Sequence, residues 1–258
     1  MSNLSICHVS NSTIYFEPND SSDVVSMVLF GESVKIIDFS QKWSEIQSQN
    51  NECKGWVHTD HFVPVTEDNN SSIRCIDFTE FIHHKERRIP IFIGCQLPNY
   101  DGIRLQYADY QWNFSGQSIH AKDLGLERFK RLGQKYLGSP YRKGGRSPFG
   151  IDDSGLVHIL YCFLGKSLPR TADKQSAIGK PLNFIQEAQI GDLLGFSSNK
   201  GGPVDHIGLY WGNQQVLHVD SVAQIDRVDH NGIYNSSSGQ YTYFLTNIQQ
   251  IIDVWPNP

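Results

Sequence analysis

The spacing of apolar positions changes character near residue 124. Before it, short apolar-rich runs over 24–29, 33–38, 43–47 and 55–58 predict β-strands. Turn-forming clusters separate them, among them Pro18-Asn19-Asp20, Gly31-Glu32 and Gln49-Asn50-Asn51. Short strands so spaced suit a small barrel, and the N-terminal region reads as all-β. Residues 66–72 are polar with no apolar anchor and read as a linker. Beyond them, 91–94 and 103–107 are expected strands around the turn Pro98-Asn99-Tyr100-Asp101-Gly102, in either a second, decayed barrel or an elaborated connector. From residue 124 the period lengthens. Phe129, Leu132, Tyr136 and Leu137 recur at helical spacing, and a second helix is predicted through Leu156, Val157, Leu160, Tyr161 and Leu164. Strands return at 204–211, 215–220, 241–245 and 248–254, the first two flanking the hairpin signal Gly212-Asn213-Gln214. Two helices followed by an antiparallel sheet make the C-terminal half α+β. The expected domains are 1–66, a small barrel; 67–123, a linker and second β segment; and 124–258, the α+β domain.

Composition narrows the function classes. The 258 residues are 39% hydrophobic and 19% charged with a formal net charge of -5, as for an ordinary soluble globular protein. A chain of this size buries enough surface to hold a core without metal or disulfides. With no basic stripe, nucleic acid is set aside as a partner. No window approaches 18 apolar residues, so no membrane span is expected. Residues 1–20 show no basic region followed by an apolar run, which predicts a cytoplasmic location, or a periplasmic one if a precursor segment has been removed. The five cysteines, Cys7, Cys53, Cys75, Cys95 and Cys162, are odd in number and include no CxxC pair; they read as reduced core thiols. Lys85-Glu86-Arg87-Arg88 reads as a solvated charge run. There is no GxGxxG or P-loop pattern, and no cofactor is expected.

Four features of the C-terminal half carry chemistry when read together: Gly138-Ser139-Pro140-Tyr141 with Gly144-Gly145, Gly150-Ile151-Asp152-Asp153-Ser154-Gly155, Asp205-His206-Ile207-Gly208, and Leu217-His218-Val219-Asp220. In this order they resemble the NlpC/P60 family of cell-wall peptidases. Leu168-Pro169-Arg170-Thr171-Ala172, Gly191-Asp192-Leu193 and the tail from Ile225 to Tyr234 add to the likeness, the tail being like that of Bacteroidetes members. Through Phe30-Gly31-Glu32, Trp43 and Gly55-Trp56-Val57 the N-terminal region is similar to bacterial SH3-type barrels. The resemblance implies a papain-like α+β fold in which a cysteine opens a buried helix, a histidine on the following sheet is the base, and a second polar residue orients that histidine. A helix N-terminus lowers a thiol pKa, and an adjacent imidazole completes its activation.

Carried onto this chain, the base position is His206, the orienting position is His218, and the nucleophile position holds Asp153. The resemblance places Tyr141, Asp152, Ser154, Arg170 and Thr171 around the substrate. A three-residue turn at 212–214 would pair Gly208 with His218 and put both histidines on one sheet face, whereas a two-residue loop would put them on opposite faces. Asp153 suits a helix N-terminus but not the chemistry, since carboxylate attack on an amide gives an anhydride while expelling a poorer leaving group. Cys162 lies about nine residues further along the helix, on its opposite face, and cannot substitute. Two more positions depart from the family: Lys143 stands where a tryptophan is usual, and Thr171 where recycling enzymes carry an aspartate. Asp153, His206 and His218 are also the ligand types of a two-histidine, one-carboxylate triad. In this arrangement one histidine bonds the other rather than a shared centre, so no metal is expected. The function implied is that of a homologue of muropeptide γ-D-glutamyl-diamino acid hydrolases that has lost catalysis and binds a peptidoglycan-derived peptide or a protein partner. The alternative is an active cell-wall peptide hydrolase with a modified site.

Overall fold

The structure is a computed structural model and describes residues 3–49, 53–67, 71–236 and 238–251. Residues 50 and 51 of one expected turn, 68–70 of the expected linker and 252–254 of the last expected strand lie outside the described residues. Contacts divide the chain into two compact units: Met1–Leu124 with Lys143–Pro148 and Tyr161–Ser167, and Gly125–Arg142 with Phe149–Leu160 and Leu168–Pro258.

In the first unit the four N-terminal strands form as the apolar runs predict, at Val24–Leu29, Ser33–Ser40, Trp43–Ser48 and Lys54–His58. Leu4–Cys7, Asn11–Tyr15 and Phe62–Pro64 join them in a seven-stranded sheet. One face closes over Cys7, Ile14, Val28, Val34, Ile36, Ile46, Cys53, Val57 and Phe62, so two of the five cysteines serve as small apolar side chains. All five thiols are buried and unbridged. The middle segment holds more β-structure than its sequence pattern suggests: a four-stranded sheet of Arg87–Phe92, Thr79–His84, Tyr110–Asn113 and Arg104–Tyr107, and a pair formed by Ser118–His120 and Ile73–Cys75. The charge run at 85–88 is half turn and half strand. Arg87 pairs with His84 across Lys85-Glu86, with Lys85 at φ 54.

A buried ion pair braces this unit. Arg146 forks onto both Glu32 oxygens at 2.8 Å, Arg74 approaches at 3.5 Å, and the Leu29 N–H donates to Glu32 at 2.9 Å. Burial alone would raise the Glu32 pKa, but the Arg146 guanidinium, Arg74 and the Leu29 N–H hold it at about 2.

The second unit holds most of the helical residues, Tyr161–Phe163 being counted with the first. Helix α1 spans Leu126–Gln134 and buries Phe129 and Leu132. It stops before Tyr136, which is still buried, while Leu137 turns 41% exposed ahead of Gly138 at φ 81. Helix α2 spans Asp153–Phe163, and its side chains from Leu156 onward are buried on every side, His158 included. A short α3 follows at Ala172–Gln175. The sheet order is Lys180–Pro181, Gln240–Gln250, Leu193–Ser197, His206–Gly212, Gln215–Val219, Ala223–Asp229, Gly232–Asn235, and the last strand pairs back onto Gln240–Gln250, closing a ring. Gln240–Gln250 is one strand where two were expected. Leu193–Ser197, buried at all five positions, was not expected as a strand; only Leu193 entered the reading, in the motif Gly191-Asp192-Leu193, because a short segment buried on both faces shows no alternation. Leu194, Phe196, Val216, Val228, Ile233 and Ile248 fill the ring. The fold is α+β. Among the described residues no helix is long and apolar enough to cross a membrane.

Candidate functional site

Asp152 starts the site. Its carbonyl accepts the first helical bond of α2 from Leu156 N–H at 2.9 Å, and its Oδ1 accepts Gly155 N–H at 2.7 Å, making it the N-cap. Arg170 Nη2 donates to Asp152 Oδ2 at 2.8 Å and Arg170 Nη1 to Ser154 Oγ at 2.9 Å, while Gln175 Nε2 donates to the carbonyls of Ser154 and Pro169. Asp152, Ser154 and Arg170 are all buried and turned toward one another. Together they clamp the first turn of α2 and so fix the direction of the next side chain, Asp153.

Asp153 reaches across to the strand His206–Gly212. Its Oδ2 accepts Ile207 N–H at 2.9 Å and lies 3.2 Å from His206 Nδ1. Burial works to raise its pKa, but the His206 contact and the N–H groups of Ser154 and Ile207 outweigh it and hold the carboxyl below the ordinary aspartate range. His206 Nε2 is 2.9 Å from His218 Nδ1, and His218 Nε2 is 3.0 Å from Asp226 Oδ2. Burial and the neighbouring His206 charge lower the His218 pKa against the pull of Asp226. The Tyr243 ring stacks on His206 with centroids 4.0 Å apart and planes 13° apart.

The two histidines share a face by a route other than the one expected. The loop has two residues, Asn213 and Gln214, at φ 53 and 57, the twist of a type I′ turn. A bulge between Tyr210 and Gly212 then shifts the register, so Gly212 pairs with Gln215 but Leu209 pairs with Leu217. Extending that last pairing sets Gly208 opposite His218. A two-residue loop therefore need not separate the histidines when a bulge restores the lost residue.

A cavity of about 440 Å³ opens beside this line, with Tyr141, Asp153, Asp205, His206, Asp220 and Tyr243 on its walls. Tyr141 is 52% exposed, whereas His218 is 1% exposed behind His206. Asp205 accepts Ser198 N–H at 2.9 Å, and Asp220 accepts the Tyr243 hydroxyl at 3.0 Å. Burial and the Asp220 contact raise the Tyr243 pKa, leaving it a neutral donor. Of the residues expected around a substrate, Tyr141 lines this cavity, Asp152, Ser154 and Arg170 form the clamp beneath α2, and Thr171 is exposed at the N-cap of α3. Lys143 belongs to the first unit and pairs with Asp23 at 3.7 Å. Both nitrogens of both histidines face partners along the line instead of converging on one point.

The sequence reading missed Asp226 and Tyr243. Asp226 lies diagonal to His218, because His218 pairs with Gln224 and Val216 with Asp226. Alternation along 224–226 was the available signal, though it needs the register of a third strand. Tyr243 comes from the strand that closes the ring, far along the chain.

Comparison with known proteins agrees with this geometry. Residues 138–244 match the model of the NlpC/P60 family, and residues 10–63 match that of the bacterial SH3 domain. A gamma-D-glutamyl-L-lysine dipeptidyl-peptidase of Bacillus subtilis (strain 168) is 40% identical over 89 residues, 34% of this chain and 30% of that protein. A probable endopeptidase p60 of Listeria seeligeri is 37% identical over 108 residues, 42% of this chain and 19% of that protein. The matched stretch thus spans less than a third of either relative. The crystal structure of an NlpC/P60 family protein from Bacillus cereus ATCC 10987 has the same fold, with a TM-score of 0.79 at 20% identity over 96% of this chain and 99% of that one. An NlpC/P60 endopeptidase from Photobacterium damselae subsp. piscicida has a TM-score of 0.74 at 17% identity, over 95% of this chain and 70% of that one.

Proposed function

Because the chain carries an NlpC/P60 domain and a bacterial SH3 domain, we propose that it is a lapsed hydrolase homologue whose cavity binds a peptidoglycan-derived peptide without cleaving it. The observation that carries this reading is the Asp153 carboxylate at the first position of α2, 3.2 Å from His206 Nδ1. A cysteine there would be a thiolate paired with an imidazolium. Asp153 keeps the charge and loses the chemistry: attack through its oxygen would form an anhydride, uphill from an amide, and its depressed pKa makes that oxygen a weak nucleophile.

The rest of the site favours binding. The clamp of Asp152, Ser154 and Arg170 holds α2 in place, and the cavity stays open. Among the described residues its walls carry Asp205 and Asp220 and no lysine or arginine, which suits the free amine of a γ-D-glutamyl-diamino acid peptide. The peptide class is suggested by the Bacillus subtilis relative, a gamma-D-glutamyl-L-lysine dipeptidyl-peptidase, and a cytoplasmic role in muropeptide recycling is part of the same proposal. Isothermal titration calorimetry with L-Ala-γ-D-Glu-diaminopimelate tests the binding. The expected result is saturable heat that Asp220→Asn weakens. No heat with this peptide, together with recovery of a protein partner that needs the open cavity, would replace the peptide reading with a partner-binding one.

A further inference from the structure

Three polar contacts join four side chains in a line: Asp153 Oδ2 to His206 Nδ1 at 3.2 Å, His206 Nε2 to His218 Nδ1 at 2.9 Å, and His218 Nε2 to Asp226 Oδ2 at 3.0 Å. Both ends are carboxylate oxygens, which only accept when ionised. A neutral imidazole has one N–H and one lone pair, so two neutral rings bring two protons to three contacts. Whichever tautomers are chosen, at least one contact is then left with two lone pairs facing each other. Three protons satisfy the line.

We propose that Asp226 is the positioning residue that fixes this count. By accepting from His218 Nε2–H it leaves His218 Nδ1 as an acceptor, so His206 donates from both nitrogens and stands as an imidazolium against the Asp153 carboxylate.

The surroundings place the third proton on His206. Asp153 from α2 already accepts the Ile207 N–H, which favours its ionised form. Asp226, on Ala223–Asp229, accepts a second hydrogen bond from Gln224 Nε2 at 2.7 Å, and its pKa is lowered by His218 first of all. His218, whose pKa is lowered, is the poorer home for the charge. From the remaining elements Asp205, Asp220, Tyr141 and Tyr243 face the cavity beside His206, and among the described residues no lysine or arginine is on its walls. The Tyr243 ring stacked on His206 adds a face that favours a cation. The consequence is chemical. With both nitrogens donating, His206 has no lone pair for a general base, and the cavity wall presents a fixed ion pair whichever ligand enters.

Histidine-selective 15N labelling of the full chain reads the protons directly, since ring nitrogen shifts separate imidazolium from either neutral tautomer. At pH 7 the expected spectrum has one ring protonated on both nitrogens hydrogen-bonded to one protonated at Nε2 alone. Two neutral rings in this pair would overturn the proposal. In Asp226→Asn, an isosteric change at a side chain that is 28% exposed, the pair should release its third proton at a pH lower by about one unit or more. Asp229→Asn, at the end of the same strand, should leave that titration in place. Coincident titrations of Asp226→Asn and the unmodified chain would show that Asp226 has only a structural role. If Asp226→Asn does not fold, the spectrum of the unmodified chain decides the proton count by itself.

Discussion

Asp153 occupies the first turn of α2, where free N–H groups and the helix dipole favour a negative charge by roughly 0.3–1 kcal/mol. The contact with His206 adds to this, and the folded-state pKa falls below that of the unfolded chain, about 3.9. A carboxyl so shifted contributes stability that is complete above the unfolded value and is lost as pH falls through the folded one. Asp153→Asn should therefore unfold more easily than the unmodified chain at pH 7, with the gap closing as pH drops below about 3.9. Urea denaturation at a series of pH values measures it, and a gap constant across that range would mean the carboxyl does not hold the site. His218 adds a second acid-sensitive term. Its lowered pKa means that the folded state keeps it neutral, so its contribution is complete above about 6.5 and fades as pH falls toward the folded value. Asp153→Cys probes the same position by reactivity. Placed against His206, the new thiol should be alkylated by iodoacetamide near pH 6 at rates an ordinary thiol, with a pKa of about 8.5, reaches only well above pH 7. The five native thiols are buried and give the silent background.

At the scale of elements, the hairpin between His206–Gly212 and Gln215–Val219 sets the site, because its bulge puts both histidines on one face. One residue inserted between Asn213 and Gln214 should break that pairing. The His206–His218 contact should vanish from the histidine 15N spectrum, and its persistence would mean the register is set elsewhere. Gln214→Gly should instead stabilise the protein by about 0.5–1 kcal/mol in urea, since Gln214 sits at φ 57. The clamp under α2 is more costly to disturb. Asp152→Ala removes a helix cap and leaves Arg170 buried without its carboxylate, for an expected loss of about 3–5 kcal/mol. A loss under 1 kcal/mol would mean that water compensates Arg170.

These elements also show what a sequence discloses. Asp153, His206 and His218 were legible because short motifs in a fixed order carry them. Asp226 and Tyr243 were not, because each arrives through strand pairings that no local pattern specifies. The strands around Val28, Ile36, Ile46 and Val57 announced themselves by apolar runs between turns. Leu193–Ser197 did not, being buried on both faces, and neither did the closure of Gly232–Asn235 onto Gln240–Gln250.

Across the molecule, each compact unit has its own sheet and core, and the chain passes between the units more than once. The first unit therefore holds residues distant in sequence, as the fork of Arg146 onto Glu32 illustrates. With Glu32 at a folded pKa of about 2 against roughly 4.3 unfolded, this pair too weakens in acid, below about pH 4. Nothing in the spacing of residues 32 and 146 foretold the pairing. What the motifs did convey was which residues meet beside the cavity, and with them the question of whether the domain cuts. Mass spectrometry of the purified, unmodified chain incubated with L-Ala-γ-D-Glu-diaminopimelate answers it most directly. With Asp153 on His206 the peptide should be recovered intact, at the level of a protein-free control. Release of L-Ala-D-Glu and diaminopimelate above that control, abolished by His206→Ala, would contradict the account.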